Sequence, residues 1–247
     1  MKFLLRNPLV LLLVMALGTP ISNAQPAESE SSMVKHDQWG VLLKKHVDLD
    51  GNVDYEGFEL DVAQLESYLA LLAANPPEAN WSKQQKLAFY INLYNAATVK
   101  LIVDHYPVNS IKDIPSRWKK KWIPIGDDRV SLNYIEHQVL RKMGEPRIHF
   151  AINCASYSCP KLMNMPFTAQ SMERLLSKAA VDFVNDDKRN RFGSGKAELS
   201  RIFKWFSEDF TTNSTLLEYV NVYLDSPISK GAKVEYLEYD WKLNESK

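Results

Sequence analysis

Apolar residues recur at helical spacing in two segments that precede residue 80. The repeating residues are Trp39, Leu42, Leu43 and Val47 in the first segment and Leu65, Leu69 and Leu72 in the second. A repeat of this kind places apolar side chains on one face of a helix. We therefore predict two amphipathic helices, the second of which ends at Pro76 and Pro77.

The segment "KLAFYINLYNAATVKLIVDHY" (86–106) is apolar on nearly every side of a helix. Ser82 and Gln85 have the spacing of a capping box just before it, and Pro107 follows it. A helix that is apolar all round is usually buried in the core. We therefore predict that this segment forms the central helix of the domain.

Two further segments predict a short helix and then a strand. Segment 131–143, "SLNYIEHQVLRKM", has an apolar stripe, and its first residue is a candidate N-cap. Segment 147–153, "RIHFAIN", alternates apolar and polar residues, which is typical of a strand. This alternation places His149 and Asn153 on the same face, and Cys154 begins the loop that follows.

The last third of the chain predicts a mixture of helices and short strands. Helices are expected at 171–186 and from Asn213 or Ser214 onward. Segment 197–210 predicts a strand that leads into an aromatic turn. Segment 233–244 is rich in Tyr and Trp and predicts a closing strand.

The order of these elements decides the fold class. Helices dominate, and the short strands follow no regular β-α-β rhythm, which favours an α+β fold over a doubly wound sheet. We predict a single domain over residues 36–247, in which helices surround the buried central helix and pack on a small, mostly antiparallel sheet.

The N-terminal residues have the features of an export signal. A basic start precedes an apolar run over 9–17 that is too short to span a bilayer, and small residues precede position 25. We predict a signal peptide over 1–24 that is cleaved after Ala24, and a flexible leader over 25–35. The mature protein is then periplasmic or secreted, with no transmembrane segment.

Charge and motifs exclude several classes of function. The 30 basic and 30 acidic residues give a formal net charge of zero, which argues against a nucleic-acid surface. The basic run "RWKKKW" (117–122) is short and indicates Lys stems lying over two Trp rings. The chain has no phosphate-binding glycine loop and no H-E-x-x-H motif. We predict no cofactor, and a small molecule or peptide as the ligand.

The stretch "RIHFAINCASYSCP" (147–160) contains both cysteines of the chain. A cysteine nucleophile needs a nearby base, and His149 is the candidate base for Cys154. His137 is an alternative base, and Glu136 is a candidate to orient an imidazole. The candidate binding residues, which are polar groups near the same elements, are Asn92, Asn95 and Asn153.

Two other interpretations compete for the same cysteines. Zinc ligation by His137, His149, Cys154 and Cys159 has suitable ligand types, but the spacings fit none of the usual zinc sites. We therefore predict no metal. A disulfide between Cys154 and Cys159 is favoured in an exported protein and would be structural or redox-active. A disulfide and a Cys154 nucleophile exclude one another in the same molecule.

The sequence resembles the family called domain of unknown function 547. The segments that match it, in the family's order, are "AFYINLYNAATVKLIVDHYP", "SIKDI", "SLNYIEHQVLR", "PRIHFAINCASYSCPKL", "RIFKWFSEDF" and "YDWKLN". They cover most of residues 80–245, with a family core at about 80–190. Similar relatives are commonly exported bacterial proteins. The resemblance implies that the candidate residues share one site, and it implies no agreed reaction.

A buried central helix followed by a His-bearing strand is similar to the order in papain-like and transglutaminase-like folds. In those folds the nucleophilic Cys starts the helix, whereas residues 88–95 contain no Cys here. If the fold is shared, either the thiol has moved to Cys154 or the scaffold has lost acyl-transfer chemistry.

Three functional hypotheses follow from these patterns. The first is a thiol-dependent hydrolase or transferase that acts on peptide or amide bonds. The second is a non-catalytic binding or interaction domain. The third is a protein with a redox-active Cys154–Cys159 disulfide.

Overall fold

The central helix α4, Lys83–Val103, begins as the capping box predicts in the computed structural model, which describes residues 34–193 and 195–246. The Ser82 hydroxyl accepts a hydrogen bond from the Gln85 amide at 3.2 Å, and the Gln85 side chain accepts one from the Ser82 amide at 2.6 Å. Side chains are buried on all sides of α4, which confirms the prediction of a central helix.

Within the described residues, three helices precede α4, and two of them pack against it. They are α1, Asp37–His46, α2, Tyr55–Leu60, and α3, Val62–Ala74. The sequence predicts one helix from Phe58 to the prolines at 76 and 77, but this segment is divided at Asp61, where the backbone leaves helical geometry. The Asp61 carboxylate accepts hydrogen bonds from Lys45 and His46 of α1, and this contact fixes the break.

A β-hairpin and a composite helical segment follow α4. Strands β1, Ile123–Ile125, and β2, Asp128–Val130, pair antiparallel. Helix α5, Leu132–Tyr134, is capped by the Ser131 hydroxyl as expected. It continues as a π-helical segment, Ile135–Leu140, and a 3₁₀ turn, Arg141–Met143. Such a π segment widens the helix by one residue and is often found at functional sites.

The strand predicted over 147–153 is wrong. Pro146–Phe150 form a 3₁₀ helix, with a proline at its first position and the Glu145 side chain accepting from the Arg147 amide. Both features start a helical turn and prevent strand pairing. The neighbouring residues Ile148 and His149 are both buried. The alternation of apolar and polar residues therefore does not mark one buried and one exposed face of a strand.

The C-terminal half forms a second layer. Its elements are α6, Met172–Val184, β3, Arg191–Gly193, β4, Lys196–Leu199, α7, Arg201–Trp205, α8, Ser207–Phe210, α9, Leu216–Asn221, and β5, Lys233–Tyr236. Strand β4 pairs antiparallel with β3 and parallel with β5. The predicted aromatic turn after β4 is therefore helical, as α7 and α8.

Two local expectations in this half are corrected. The cap of α9 is Thr215, whose hydroxyl accepts from the Glu218 amide in a capping box, and not Asn213 or Ser214. The closing strand ends at Tyr236, and the residues after it run beside the cysteine loop instead of extending the sheet.

The α+β fold class is confirmed, and its core has two parts. One apolar cluster surrounds α4, which packs mainly against other helices. A second cluster joins α6, β4, α7 and α8, with Phe150 at its centre. Among the described residues no helix has the length and apolar character needed to cross a membrane. The predicted signal peptide and most of the predicted leader lie outside the described residues.

Candidate functional site

A cleft of about 190 Å³ lies where the two apolar clusters meet. Its lining residues include Tyr94, Trp118, Glu136, His137, His149, Cys154, Cys159, Trp205, Phe206, Tyr239 and Trp241. The five residues proposed from sequence as catalytic or disulfide-forming therefore face one cleft. The walls around them are mostly aromatic.

Cys154 and Cys159 are joined by a disulfide, so neither cysteine of the chain is a free thiol. Cys154 is half-buried at the cleft, whereas Cys159 is buried. The Cys154 amide donates to Cys159 Sγ at 2.8 Å. The hydroxyls of Ser156 and Tyr239 lie 3.0 and 3.2 Å from Cys154 Sγ. Each sulfur thus has a hydrogen-bond donor that would stabilise its thiolate.

The loop between the two cysteines is held from two directions. Arg189 is buried, and its Nε donates to the Cys159 carbonyl at 2.6 Å while its NH2 donates to the Tyr157 carbonyl at 3.2 Å. On the other side, the Tyr157 amide donates to the Lys242 carbonyl at 2.7 Å. The C-terminal segment that carries Tyr239 is therefore fixed to the cysteine loop.

The three asparagines proposed as binding residues are buried, and their side-chain amides form hydrogen bonds with backbone groups. Asn92 exchanges two hydrogen bonds with Phe167, at 2.7 and 3.1 Å. Asn95 donates to the Ala151 carbonyl at 3.0 Å and accepts from the Asn153 amide at 2.8 Å.

Asn153 closes the turn that presents Cys154. Its side chain donates to the Pro160 carbonyl at 2.7 Å and accepts from the Ala155 amide at 2.8 Å. Ala155 has a φ of 59°, and the turn that it makes places the residue before it at the cleft. The asparagines thus hold the backbone of the site, and their role toward a ligand stays a prediction.

Glu136 lies in the π-helical segment and faces the cleft. The Tyr94 hydroxyl donates to one carboxylate oxygen at 3.2 Å. Burial raises the pKa of Glu136 to about 7, although the Tyr94 hydrogen bond and the nearby Arg141 act in the opposite direction. A carboxyl group in this range can exchange a proton near neutral pH.

His149 is bound to a carboxylate that the sequence patterns did not single out. Its Nε2 donates to Asp209 Oδ2 at 2.7 Å, and its ring stacks on Phe206 at 4.0 Å. Since a carboxylate only accepts, this contact places the proton on Nε2 and the lone pair on Nδ1. Nδ1 is buried and has no hydrogen-bond partner among residues 34–193 and 195–246.

Asp209 also pairs with Arg141, which donates from Nε at 2.6 Å and from NH2 at 2.8 Å. Burial alone would raise the pKa of Asp209, but the hydrogen bonds from His149 and Arg141 hold it well below its ordinary value. Burial lowers the pKa of His149, so its ring is neutral near pH 7. Arg141 also donates to His137 Nδ1 at 3.1 Å, which links both histidines to one ion pair.

Three residues that contact the candidate site residues lie within segments that carry the family resemblance, although no periodicity indicated them. Asp209 is in "RIFKWFSEDF", Tyr239 is in "YDWKLN" and Arg141 ends "SLNYIEHQVLR". The sequence signal for each of them is its position as a polar residue inside a segment that matches the family.

The zinc interpretation has no support in the described part of the chain. Both sulfurs are bonded to each other in the disulfide. Asp209 contacts Nε2 of His149, and Arg141 contacts Nδ1 of His137. No group of three His, Cys, Asp or Glu residues among those described is arranged to hold a metal ion.

Comparison with known proteins agrees with the sequence resemblance. Residues 78–184 match the family model described as "Protein of unknown function, DUF547". Over this segment, which is less than half of the chain, the sequence is similar to the DUF547 family. The matched DUF547 segment contains the disulfide, Glu136, His137 and His149, whereas Asp209 and Tyr239 lie beyond its end. No curated protein and no solved structure matches the chain.

Proposed function

We propose that this protein catalyses thiol–disulfide exchange, with Cys154–Cys159 as its redox pair. The observation that carries the proposal is the asymmetry of the disulfide. Both cysteines line the cleft, but Cys154 is half-buried with two hydroxyls beside its Sγ, whereas Cys159 is buried and its Sγ accepts an amide hydrogen bond. Exchange requires one reachable sulfur and one stabilised leaving group, and this arrangement supplies both.

The reaction proceeds in two displacements. A substrate thiolate attacks Cys154 Sγ, an S–S bond forms between substrate and protein, and the Cys154–Cys159 bond breaks with its electron pair on Cys159 Sγ. A second substrate thiolate then attacks the substrate sulfur of the mixed disulfide and releases Cys154 as a thiolate. The substrate dithiol is oxidised to a disulfide, and the protein is reduced to a dithiol. The reverse sequence reduces a substrate disulfide.

The donors around the two sulfurs match these steps. The Cys154 amide stabilises the Cys159 thiolate in the first displacement, and the Tyr239 hydroxyl stabilises the Cys154 thiolate in the second. Glu136 in the same cleft supplies or accepts the proton that converts a thiolate into a thiol.

The test is a redox titration of the purified protein in glutathione buffers, quenched with acid and read by mass after alkylation. We expect one reversible two-electron transition of the folded protein. A disulfide that stays oxidised until the fold is lost in denaturant would overturn the proposal and would favour a structural bond in a non-catalytic binding domain.

The proposal includes export, because an oxidising compartment maintains such a disulfide. We propose that a signal peptide over residues 1–24 directs the chain to the periplasm or the exterior. An N-terminal mass that begins at Gln25 in protein recovered from that compartment supports this, and a mature chain that begins at Met1 refutes it.

A second candidate function, favoured by the His149–Asp209 pair, is thiol-dependent hydrolysis or transfer at a peptide or amide bond. After reduction, Cys154 is the nucleophile and His149 Nδ1, which has a lone pair and no partner in the described chain, is the base. A chromogenic thioester, turned over by the reduced protein and not by the oxidised one, tests it. If His149→Gln loses thioester turnover but still shows the reversible redox transition, hydrolysis and thiol–disulfide exchange depend on different residues.

A further inference from the structure

Glu136 is an acidic group of the cleft that forms no ion pair with a Lys, Arg or His of the described residues. Tyr94 donates to its Oε2, and Oε1 accepts no hydrogen bond from residues 34–193 and 195–246. Arg141, whose charge lowers the pKa of Glu136, is engaged by both oxygens of Asp209. A negative charge among aromatic walls is costly without a cation beside it, and the charge of Arg141 is already paired with Asp209.

The rings of the cleft are suited to cations. Side-chain cations already lie over three of them, with Lys112 Nζ 5.4 Å from the Trp241 ring centre, Arg117 5.9 Å from that of Trp118 and Arg141 5.4 Å from that of Phe206. Among the three tryptophans of the cleft, Trp205 alone has no cation of the described residues over its ring. It is 45% exposed at the cleft. An ammonium group over an aromatic face gains electrostatic attraction from the ring.

We infer that the cleft selects cationic thiols or disulfides, with the ammonium group of the substrate held between Glu136 and the Trp205 face while its sulfur reaches Cys154. This inference rests on the proposed exchange reaction and names its substrate class. A short aminothiol is the smallest molecule that presents both groups. In a larger substrate, a lysine side chain or an N-terminal amine next to a cysteine would serve.

The titratable and charged groups around Glu136 leave room for a bound cation. They are Tyr94 of α4, His137 and Arg141 of its own segment, Asp209 of α8 and Tyr239 of the C-terminal segment. The Arg141–Asp209 pair is balanced, and burial keeps His137 largely neutral by lowering its pKa. A bound ammonium would therefore bring Glu136 a cation that is not already paired with Asp209.

The test compares three small thiols of similar length as reductants of the Cys154–Cys159 disulfide: cysteamine, mercaptoethanol and mercaptopropionate. Each rate is divided by the rate of the same thiol with a small reference disulfide, which removes differences in intrinsic nucleophilicity. The variants are Glu136→Gln and, as a matched control, Glu238→Gln, an exposed glutamate that adjoins Tyr239.

We expect the normalised rate to be on the order of tenfold higher for cysteamine than for mercaptoethanol, with mercaptopropionate slowest. In Glu136→Gln the preference for cysteamine should disappear, and in Glu238→Gln it should remain. Equal normalised rates for the three thiols in the wild type, with exchange intact, would overturn the cationic selectivity alone. No exchange with any thiol would overturn the proposed function itself.

Discussion

The His149 imidazole and the Asp209 carboxylate meet across 2.7 Å and join the DUF547 segment to a helix outside it. Arg141 binds both oxygens of Asp209, including Oδ2, which His149 also contacts, so the carboxylate holds together residues from three elements. This contact fixes the orientation of His149, which lines the cleft that contains the disulfide.

Replacing Asp209 by Asn should destabilise the protein by about 2 kcal/mol, because Arg141 and His149 lose a charged acceptor in a half-buried site. The lowered pKa of Asp209 gives the pH dependence. Its contribution is complete above an unfolded pKa of about 4 and is lost as the pH falls below that value. Urea unfolding at several pH values measures this difference.

The matched control for Asp209 is Asp182→Asn, which removes an exposed ion pair with Lys178 within α6. It should change the free energy of unfolding by less than about 0.5 kcal/mol. If Asp209→Asn costs no more than this control at pH 7, the ion pair does not hold the site together.

Replacing Glu136 by Gln should stabilise the protein at high pH. Its folded pKa is raised to about 7, so the native carboxyl keeps a proton that the unfolded chain releases above about 4.5. Stability is therefore lost as the pH rises through 7, and Gln avoids that loss. We expect a gain on the order of 1 to 2 kcal/mol at pH 8 and little change at pH 5.

Unfolding curves of Glu136→Gln and Glu238→Gln at pH 5 and pH 8 check this. The exposed Glu238 variant should show no pH-dependent gain. Equal stability of Glu136→Gln and wild type at both pH values would show that the carboxyl of Glu136 is solvated and not held in an apolar cleft.

Removing the Tyr239 hydroxyl should slow thiol chemistry at Cys154. Tyr239→Phe keeps the aromatic wall but deletes the donor that lies 3.2 Å from Cys154 Sγ. Alkylation of the reduced protein by iodoacetamide at neutral pH should slow by about tenfold, the effect of one charge-assisted hydrogen bond on the thiolate. Tyr157→Phe, an exposed tyrosine of the cysteine loop, is the control and should react like wild type.

Asn95 supports the backbone that presents Cys154, so Asn95→Ala should cost about 2 to 3 kcal/mol of stability. The substitution leaves the buried Ala151 carbonyl and Asn153 amide without their partner. Chemical denaturation measures the loss. A variant as stable as wild type, with impaired substrate binding, would instead indicate that Asn95 contacts the ligand, as the sequence pattern suggested.

Sequence patterns located the site better than they described its geometry. The capping box of Ser82 and Gln85 fixed the start of the central helix, because both partners are close in the chain and their spacing is diagnostic. The segment around His149 was misassigned as a strand. Ile148, His149 and Phe150 are all buried on a 3₁₀ turn, but because His149 is polar the sequence alternates between apolar and polar residues as a strand does. The residues that bury His149 are distant in sequence, so the local pattern does not reveal its burial.

The missed residues share the same physical cause. Asp209 is 60 positions from His149 and Tyr239 is 85 positions from Cys154, so no local period connects them. Their roles come from tertiary packing of the second apolar cluster against the first. Only the family resemblance pointed to the segments that contain them.

The most direct test of the proposed exchange chemistry is a trap of the mixed disulfide. Cys159→Ala and Cys154→Ala are each incubated with glutathione disulfide under native conditions, and adducts are located by mass spectrometry. We predict rapid glutathionylation of Cys154 in Cys159→Ala and little reaction of the buried Cys159 in Cys154→Ala. Equal reactivity of the two variants, or faster reaction at Cys159, would contradict the assignment of Cys154 as the sulfur that forms the mixed disulfide with the substrate.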